Sequence, residues 1–177
     1  MKKLLIFVEG KYDLIFVKHI LYNYFLQKSI LLFPITYQKT RNHEVKKNIK
    51  SAKSKNTKCL LLSDLDSHTY PCISSRKESR INELGNEVGM DNIIIVKEEI
   101  ESWILAGIDN RLVEYSEFAI PDNTENITKE DFEQILAKTS FGKGDLLYKL
   151  TYDFNFGLAL KRNQSFKYFL NKCISFL

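Results

Sequence analysis

Cysteine, glycine and proline are all scarce in this chain, and each scarcity excludes a class of protein. The 177 residues include only 3 Cys, 7 Gly and 3 Pro. An odd number of cysteines without a CxxC pair excludes a disulfide framework and a zinc ribbon, and it favours a reducing, cytoplasmic setting. The low glycine and proline content excludes collagen-like and linker-like chains.

Long apolar runs are also missing. No apolar stretch approaches the ~20 residues that a membrane-spanning helix needs. The run at residues 4–8 ends at Glu9 and is too short for the apolar segment of a signal peptide. The sequence therefore predicts a protein that does not associate with a membrane.

Neither sign of charge dominates the whole chain, but the charges are unevenly distributed. The formal net charge is +4, yet residues 1–60 carry 13 Lys and Arg against 3 Asp and Glu, and residues 61–140 carry 7 against 17. A basic front beside an acidic middle favours contact with nucleic acid or another phosphate ligand next to a separate acidic site. Solvated helix faces are the alternative explanation.

Hydrophobic patterning predicts an α/β fold with a four-stranded, mainly parallel sheet flanked by helices, followed by a helical appendage. Short apolar runs alternate with amphipathic stretches over residues 1–106, as in chains that form parallel sheets. The predicted strands are 4–8, 31–37, 59–63 and 92–96, and the predicted helices between and after them are 12–27, 41–54, 74–89 and 98–106. Residues 107–177 form the appendage, with an irregular segment and predicted helices at 129–138, 143–150 and 165–176.

Carboxylates follow three of the predicted strands. Ligands of open parallel sheets bind outside the carboxyl ends of the strands, so these acids are expected to converge on one edge. Crowded carboxylates favour a hard divalent cation, which predicts Mg²⁺, Mn²⁺ or Ca²⁺ and not zinc. The acids concerned are Glu9 and Asp13 after the first strand, Asp64 and Asp66 after the third, and Glu98, Glu99 and Glu101 after the fourth.

A non-functional explanation competes for some of these acids. Acidic residues are favoured in the first turn of any helix by the helix dipole, which covers Asp13 and the acids of residues 98–101. Within the last group, helical spacing pairs Glu98 with Glu101 on one face. Glu9 and the Asp64–Asp66 pair directly follow buried strands, and an extended backbone there would direct both aspartates to the same side.

Two motifs in this order resemble the TOPRIM domain of topoisomerases, primases and overcoming-lysogenization-defect (OLD) nucleases. The first is an apolar strand ending in Glu9-Gly10 with Asp13 after it, and the second is an apolar strand ending in Asp64-Leu65-Asp66. The stretch at 98–106 is similar to a Glu-x-Glu-x-Trp segment of stand-alone, defence-associated TOPRIM-like proteins, which matches Glu99 and Glu101 instead of Glu98. The resemblance covers residues 1–106.

The resemblance implies a metal-dependent nuclease acting on DNA or RNA. It makes Glu9, Asp64 and Asp66 the catalytic residues, with Glu9 as general acid or base or as a metal ligand. It implies Mg²⁺ or Mn²⁺ at Asp64 and Asp66, with Asp13 and Glu101 completing a second site. Proteins of this type often work with an ATPase partner, for example in anti-phage defence.

Basic residues supply the expected nucleic-acid contacts, because Lys and Arg bind phosphates regardless of base sequence. They are concentrated around the predicted helix at 41–54, and others lie in the C-terminal region, where Lys143 is a further candidate. The principal candidates are Lys39, Arg41, Lys46, Lys47, Lys50 and Lys161.

Two other functions remain open at the level of sequence. The fold can serve as a nucleic-acid-binding or scaffold module without chemistry. A phospho-receiver-like signalling domain also places acids after its first and third strands, although it has an acid pair where this chain has Glu9-Gly10. Five aromatic residues of the C-terminal region are interpreted as core and not as a surface for base stacking, namely Phe154, Phe156, Phe166, Tyr168 and Phe169.

Overall fold

The computed structural model describes residues 1–37, 40, 42–110, 120–139 and 142–175. The chain divides into two compact units, Met1–Val96 with Ser175 and Lys97–Ile174. The sequence prediction placed the end of the α/β core at residue 106. By their contacts, residues 97–106 belong to the second unit.

The first unit contains the predicted parallel sheet. Its strands are β1 (Lys2–Val8), β2 (Ile30–Thr36), β3 (Lys58–Asp64) and β4 (Ile93–Val96). They pair in the order β2-β1-β3-β4, and every pairing is parallel. The α/β fold class is thus confirmed, and all strand carboxyl ends lie at one edge of the sheet.

Continuous apolar runs form these strands because the sheet is buried on both faces. All residues of β4 are buried, as are the central residues of β3. Side chains at alternate positions along the strands pack together in one apolar cluster, which includes Phe7 of β1, Leu61 of β3 and Ile95 of β4. Val45 and Ile49 join this cluster from the helix after β2.

The helices of the first unit occupy the predicted positions. They are α1 (Lys11–Ile15), a π-helical segment (Phe16–Leu21), α2 (Tyr22–Leu26), α3 (Asn42–Ser54) and α4 (Ile73–Leu84). The helix α3 buries Val45, Ile49 and Ala52 and exposes most of its polar side chains, as the sparse apolar spacing predicted. Gly85 ends α4 with a φ of 70°, a conformation that glycine adopts without the steric cost of a Cβ.

Strand β2 has a sheet partner on one side only among the described residues. It pairs with β1 and contains Pro34, which lies opposite Ile6. Proline lacks the N–H donor of a sheet ladder and is found mainly in edge strands, so its position in β2 agrees with the strand order.

The second unit is helical in its described residues. It contains α5 (Ile100–Ala106), α6 (Lys129–Ala137), α7 (Lys143–Asp153), α8 (Phe156–Arg162) and α9 (Gln164–Ser175). The helix α8 was not predicted from the sequence. Asn155 accepts a hydrogen bond from the backbone N–H of Leu158 at its start, and this capping position is the local signal that could have indicated it.

Aromatic side chains form the core of the second unit, as predicted for Phe154, Phe166 and Phe169, but the prediction is wrong for Tyr168, which is exposed. The indole of Trp103 is fully buried between Phe166 and Phe169, with ring centroids 5.3 and 5.0 Å away. Its Nε1 donates to Ser165 Oγ at 2.8 Å. Buried aromatics of this kind explain why the unit can form a core from short helices.

Polar groups buried beside this core are hydrogen-bonded. Glu125 accepts from the backbone N–H groups of Gln164 and Ser165 at the start of α9. Arg162 donates to the carbonyl oxygen of Ile108 at 2.7 Å. Across the described residues, every fully buried side-chain nitrogen and oxygen has a hydrogen-bond partner, as burial of polar groups requires.

None of the helices in the described ranges combines the length and the apolar character needed to cross a membrane.

Candidate functional site

The carboxyl ends of β1 and β3 bring a charged cluster together within the first unit. Phe7 of β1 lies opposite Leu61 of β3 in the ladder, so Glu9 follows β1 at the level where Ser63 and Asp64 end β3. The hydroxyl of Ser63 donates to Glu9 Oε1 at 2.7 Å, which ties the two strand ends together. The predicted meeting of the first and second motifs is therefore present for Glu9 and the end of β3.

One oxygen of Glu9 is the centre of this cluster. Its Oε1 accepts hydrogen bonds from Ser63, from the phenol of Tyr37 at 2.9 Å, and from the guanidinium groups of Arg76 (3.2 Å) and Arg80. The Glu9 side chain remains 22% exposed. We refer to Glu9, Tyr37, Ser63, Arg76 and Arg80 as the Glu9 cluster.

The two arginines come from α4, which follows β3, and are spaced one helical turn apart. Arg76 Nε donates to the carbonyl oxygen of Asp64 at 2.8 Å, and Arg80 Nε donates to Ser63 Oγ at 2.9 Å. Their side chains are only 9% and 13% exposed. Sequence reasoning missed both. The available signal was the i, i+4 spacing of arginines on the helix after the Asp-x-Asp strand.

Aromatic rings support the guanidinium groups. The Arg76 guanidinium lies 4.6 Å from the centroid of Tyr70, and that of Arg80 lies 5.2 Å from the centroid of Tyr37. Stacking on aromatic faces suits arginine better than lysine because the guanidinium is planar. These contacts fix both cations at the sheet edge.

The protonation states in the cluster follow from its contacts. Burial by itself would raise the pKa of Glu9, but the Ser63 hydrogen bond and the positive charge of Arg80 outweigh it and lower that pKa below its usual value. Burial, followed by the negative charge of Glu9, raises the pKa of Tyr37 far above its usual value. Glu9 is therefore a carboxylate and Tyr37 a neutral donor at neutral pH, so Glu9 suits the role of base or cation ligand better than that of general acid.

The other acids of the first unit are placed differently. Asp13 is buried, and its Oδ2 accepts from the backbone N–H of Gly10 at 2.9 Å, which caps the start of α1. Asp66 is exposed, lies beyond β3 and has a φ of 51°. The prediction that an extended backbone directs Asp64 and Asp66 to the same side is wrong, because the backbone turns at Asp66. The carbonyl oxygen of Asp66 accepts a hydrogen bond from the backbone N–H of Tyr70, which closes the turn.

The third acidic group lies in the second unit. The helix α5 begins at Ile100 with Glu99 as its N-cap, so Glu98 precedes the helix. The predicted helical pairing of Glu98 with Glu101 is therefore not present. Burial, followed by the negative charge of Glu101, raises the pKa of Glu99.

Glu101 is buried and has a cationic partner within its own unit. Its Oε1 forms an ion pair with Lys143 Nζ, and the two side chains are 6% and 12% exposed. Lys143 also lies over the ring of Phe132. Lys143, a sequence candidate for phosphate binding, therefore neutralises a buried carboxylate in this structure.

The donor atoms of the predicted metal site fit a hard cation in kind, since carboxylate oxygens are the ligands that Mg²⁺ and Mn²⁺ prefer. Within the described ranges, no three His, Cys, Asp or Glu side chains lie close enough together to hold an ion. The identity of a bound metal and its full ligand set stay predictions.

The predicted nucleic-acid contacts are partly on the surface of α3. Lys47 and Lys50 are exposed there and Lys46 is half-buried, while Lys50 pairs with Glu87 at 3.1 Å. Lys161 is exposed on α8 in the second unit. Lys39 and Arg41 lie outside the described residues.

Comparison of the chain with protein-family models, with curated proteins and with solved structures finds no match. The likeness to TOPRIM domains therefore depends on the motifs of this chain alone. Any function has to be argued from the residues at the sheet edge.

Proposed function

We propose that the protein is a divalent-metal-dependent nuclease that hydrolyses phosphodiester bonds of DNA or RNA. One observation carries the proposal: the ionised carboxylate of Glu9 lies at the carboxyl edge of a parallel sheet, next to the end of β3 that bears Asp64, with two arginines in contact. This edge is where ligands of parallel sheets bind. An acid beside fixed cations is the combination that phosphoryl chemistry uses.

In the proposed reaction a water oxygen bonds to phosphorus while the bond from phosphorus to the leaving oxygen breaks. Glu9 takes the proton of that water, and the leaving oxygen takes a proton from solvent. Its lowered pKa keeps Glu9 unprotonated at neutral pH, and it also makes Glu9 a weaker base than a carboxylate of ordinary pKa. Asp64 at the end of β3 would hold the Mg²⁺ or Mn²⁺ ion, which would supply positive charge to the phosphoryl oxygens. The role of Asp66, which lies in the exposed loop beyond β3, stays a prediction.

The remaining predicted residues have supporting parts in this proposal. The exposed lysines of α3, Lys47 and Lys50, and the half-buried Lys46 would hold the nucleic-acid backbone outside the site, with Lys161 as a further contact. One carboxylate oxygen of Asp13 accepts a hydrogen bond from the backbone N–H of Gly10, and Glu101 forms an ion pair with Lys143. The roles of Asp13 and Glu101 at a second ion stay predictions, as does cooperation with an ATPase.

The test is cleavage of labelled single- and double-stranded DNA and RNA with Mg²⁺, with Mn²⁺ and with EDTA. We expect products with a divalent ion only, and a loss of at least about 100-fold in rate for Glu9→Gln, the scale of a general base. Asp64→Asn should abolish cleavage and weaken Mn²⁺ binding measured by calorimetry. Glu78→Gln, an exposed acid of α4, is the matched control and should retain activity.

One observation favours a second function, that of a nucleic-acid-binding module without chemistry. The negative charge of Glu9 is neutralised by its ion pairs with Arg76 and Arg80. Two guanidinium groups on one carboxylate oxygen are also typical of a structural ion pair, as expected in a nucleic-acid-binding module without chemistry. Nucleic-acid binding together with neither cleavage nor Mn²⁺ binding would establish this function and contradict the nuclease.

A further inference from the structure

Two guanidinium groups of the Glu9 cluster meet at a single carboxylate oxygen. Arg76 and Arg80 both contact Glu9 Oε1, and Arg80 Nη1 also pairs at 2.7 Å with Glu83, whose side chain is 35% exposed. Guanidinium groups bind carboxylates and phosphates through the same in-plane N–H donors. The Glu9 carboxylate therefore occupies a position in which the two arginines could bind a phosphate.

Two atoms of the cluster remain available. Arg76 uses Nε for the Asp64 carbonyl and Nη2 for Glu9, whereas its Nη1 makes no hydrogen bond within the described part of the chain. Oε2 of Glu9 likewise accepts none there. Because every fully buried side-chain nitrogen and oxygen of the described residues has a partner, neither atom is fully buried.

We propose that Arg76 and Arg80 form a binding subsite for a backbone phosphate of nucleic acid, and that the carboxylate of Glu9 fills this subsite in the free protein. Phosphate enters by taking over donors of Arg76, starting at Nη1, which makes no hydrogen bond within the described part of the chain. The released Glu9 carboxylate then lies beside the bound phosphodiester. This inference rests on the proposed function for the identity of the ligand, but the binding itself needs neither a metal ion nor catalysis.

Tyr37 and Ser63 make the exchange feasible because they keep hydrogen bonds to Glu9 when the arginines turn to phosphate. The Tyr37 hydroxyl also contacts the carbonyl oxygen of Leu62 at 2.9 Å, so it has a second fixed partner. The Nε atoms of both arginines stay bound to Asp64 and Ser63, which holds the guanidinium groups at the sheet edge. Only the terminal nitrogens need to change partners.

The experiment measures binding of a fluorescein-labelled single-stranded oligonucleotide in EDTA by anisotropy, over a series of salt concentrations. Glu9→Gln removes the competing charge and keeps an acceptor for Ser63 and Tyr37. We expect it to tighten binding about tenfold, the scale of one charge-assisted hydrogen-bonded contact. It should also steepen the dependence of log K on log salt by about 0.7, the value for one further single-strand phosphate.

Glu78→Gln is the matched control, because it removes the same charge from α4 without contact to either arginine. If Glu9→Gln and Glu78→Gln change the affinity for the oligonucleotide equally, the change in net charge alone explains the effect and the proposal is overturned. Arg76→Lys keeps the charge but loses the planar, fork-shaped donor set that holds the Asp64 carbonyl and Glu9 together. It should weaken binding and make the salt dependence shallower, and unchanged binding would overturn the proposal even if Glu9→Gln fails to fold.

Failure of this inference and failure of the nuclease proposal give different results. Tighter binding by Glu9→Gln without cleavage by the wild-type protein supports the subsite and contradicts the nuclease. Metal-dependent cleavage that requires Glu9, combined with binding that ignores Arg76, supports the nuclease and contradicts the subsite. Inorganic phosphate that competes for the oligonucleotide in wild type but not in Arg76→Lys would further support the subsite.

Discussion

Gly107 lies so close to the ring of Phe154 that a Cβ on it would come within 2.1 Å of the ring carbon Cε2. The backbone of Gly107 has an ordinary φ of −90°, so the need for glycine is steric. The carbonyl oxygen of Gly107 also accepts from the backbone N–H of Asn155, which brings the two segments together. A methyl group at this position would have to move the aromatic ring out of the core.

Gly107→Ala should therefore destabilise the second unit. Overpacking of this kind costs about 1–3 kcal/mol in the free energy of unfolding. Denaturant unfolding followed by fluorescence of Trp103 reports on this core directly, since the indole is fully buried there. Gly144→Ala is the control: no atom lies within 4 Å of its added Cβ, so equal destabilisation by both variants would refute the steric explanation.

The buried ion pair between Glu101 and Lys143 should be costly to break from one side. Lys143→Met leaves a buried carboxylate without its cation, and such changes cost about 3–5 kcal/mol. The double variant Glu101→Gln/Lys143→Met removes both charges and should recover a large part of the loss. Chemical denaturation of the variants in a double-mutant cycle measures the coupling, and strictly additive effects would show that the pair contributes nothing.

The start of α9 depends on Glu125, whose two carboxylate oxygens accept from the backbone N–H groups of Gln164 and Ser165. Glu125→Ala removes this cap and should lower the free energy of unfolding by about 1–2 kcal/mol. Glu133→Ala on the exposed face of α6 is the comparison, because it also removes a carboxylate from the second unit. Thermal unfolding that separates the two variants supports the capping role.

Acid should weaken the first unit through Glu9. Its pKa is lowered in the folded protein, so its contribution to stability is present above its ordinary value of 4.5 and is lost as pH falls through the lower, folded value. The free energy of unfolding of wild type should thus fall more steeply than that of Glu9→Gln as the pH drops below the ordinary value of 4.5. Parallel curves for the two proteins, measured in EDTA, would contradict the assigned ion pairs.

The lysines of α3 should bind the nucleic-acid backbone without preference for base sequence. Replacing Lys47 and Lys50 by Gln is expected to weaken oligonucleotide binding and to reduce the salt dependence of log K by about 0.7 for each phosphate contact on a single strand. Lys28→Gln, an exposed lysine of the same unit, is the control. Equal effects at Lys28 would show that only net charge matters.

Apolar runs predicted the sheet well because strands buried on both faces leave few alternatives for such segments. The same runs located Glu9 and Asp64, since a residue that follows a buried parallel strand must lie at the carboxyl edge. The helix α8 was not predicted because it is short. Its position is set by packing within the second unit, where Phe156 at its start contacts the rings of Phe154 and Phe166.

Side-chain partnerships could not be predicted in the same way. Arg76 and Arg80 lie 67 and 71 residues from Glu9 along the chain, and their contact depends on how α4 packs beside β3. The turn at Asp66 was missed because its φ of 51° is a property of the loop that follows and not of the strand. Helix periodicity assumed a start near Glu98, but the chain begins α5 only after Glu99.

Pro34 in β2 has a consequence for self-association. A further strand paired with β2, on the side where β2 has no partner among the described residues, would make β2 an interior strand. Pro34 has no N–H to donate, so one hydrogen bond of the sheet would be missing there. The exposed Phe33 next to it would otherwise make this edge attractive to a second chain. Pro34 thus acts as a safeguard against edge-to-edge aggregation at β2.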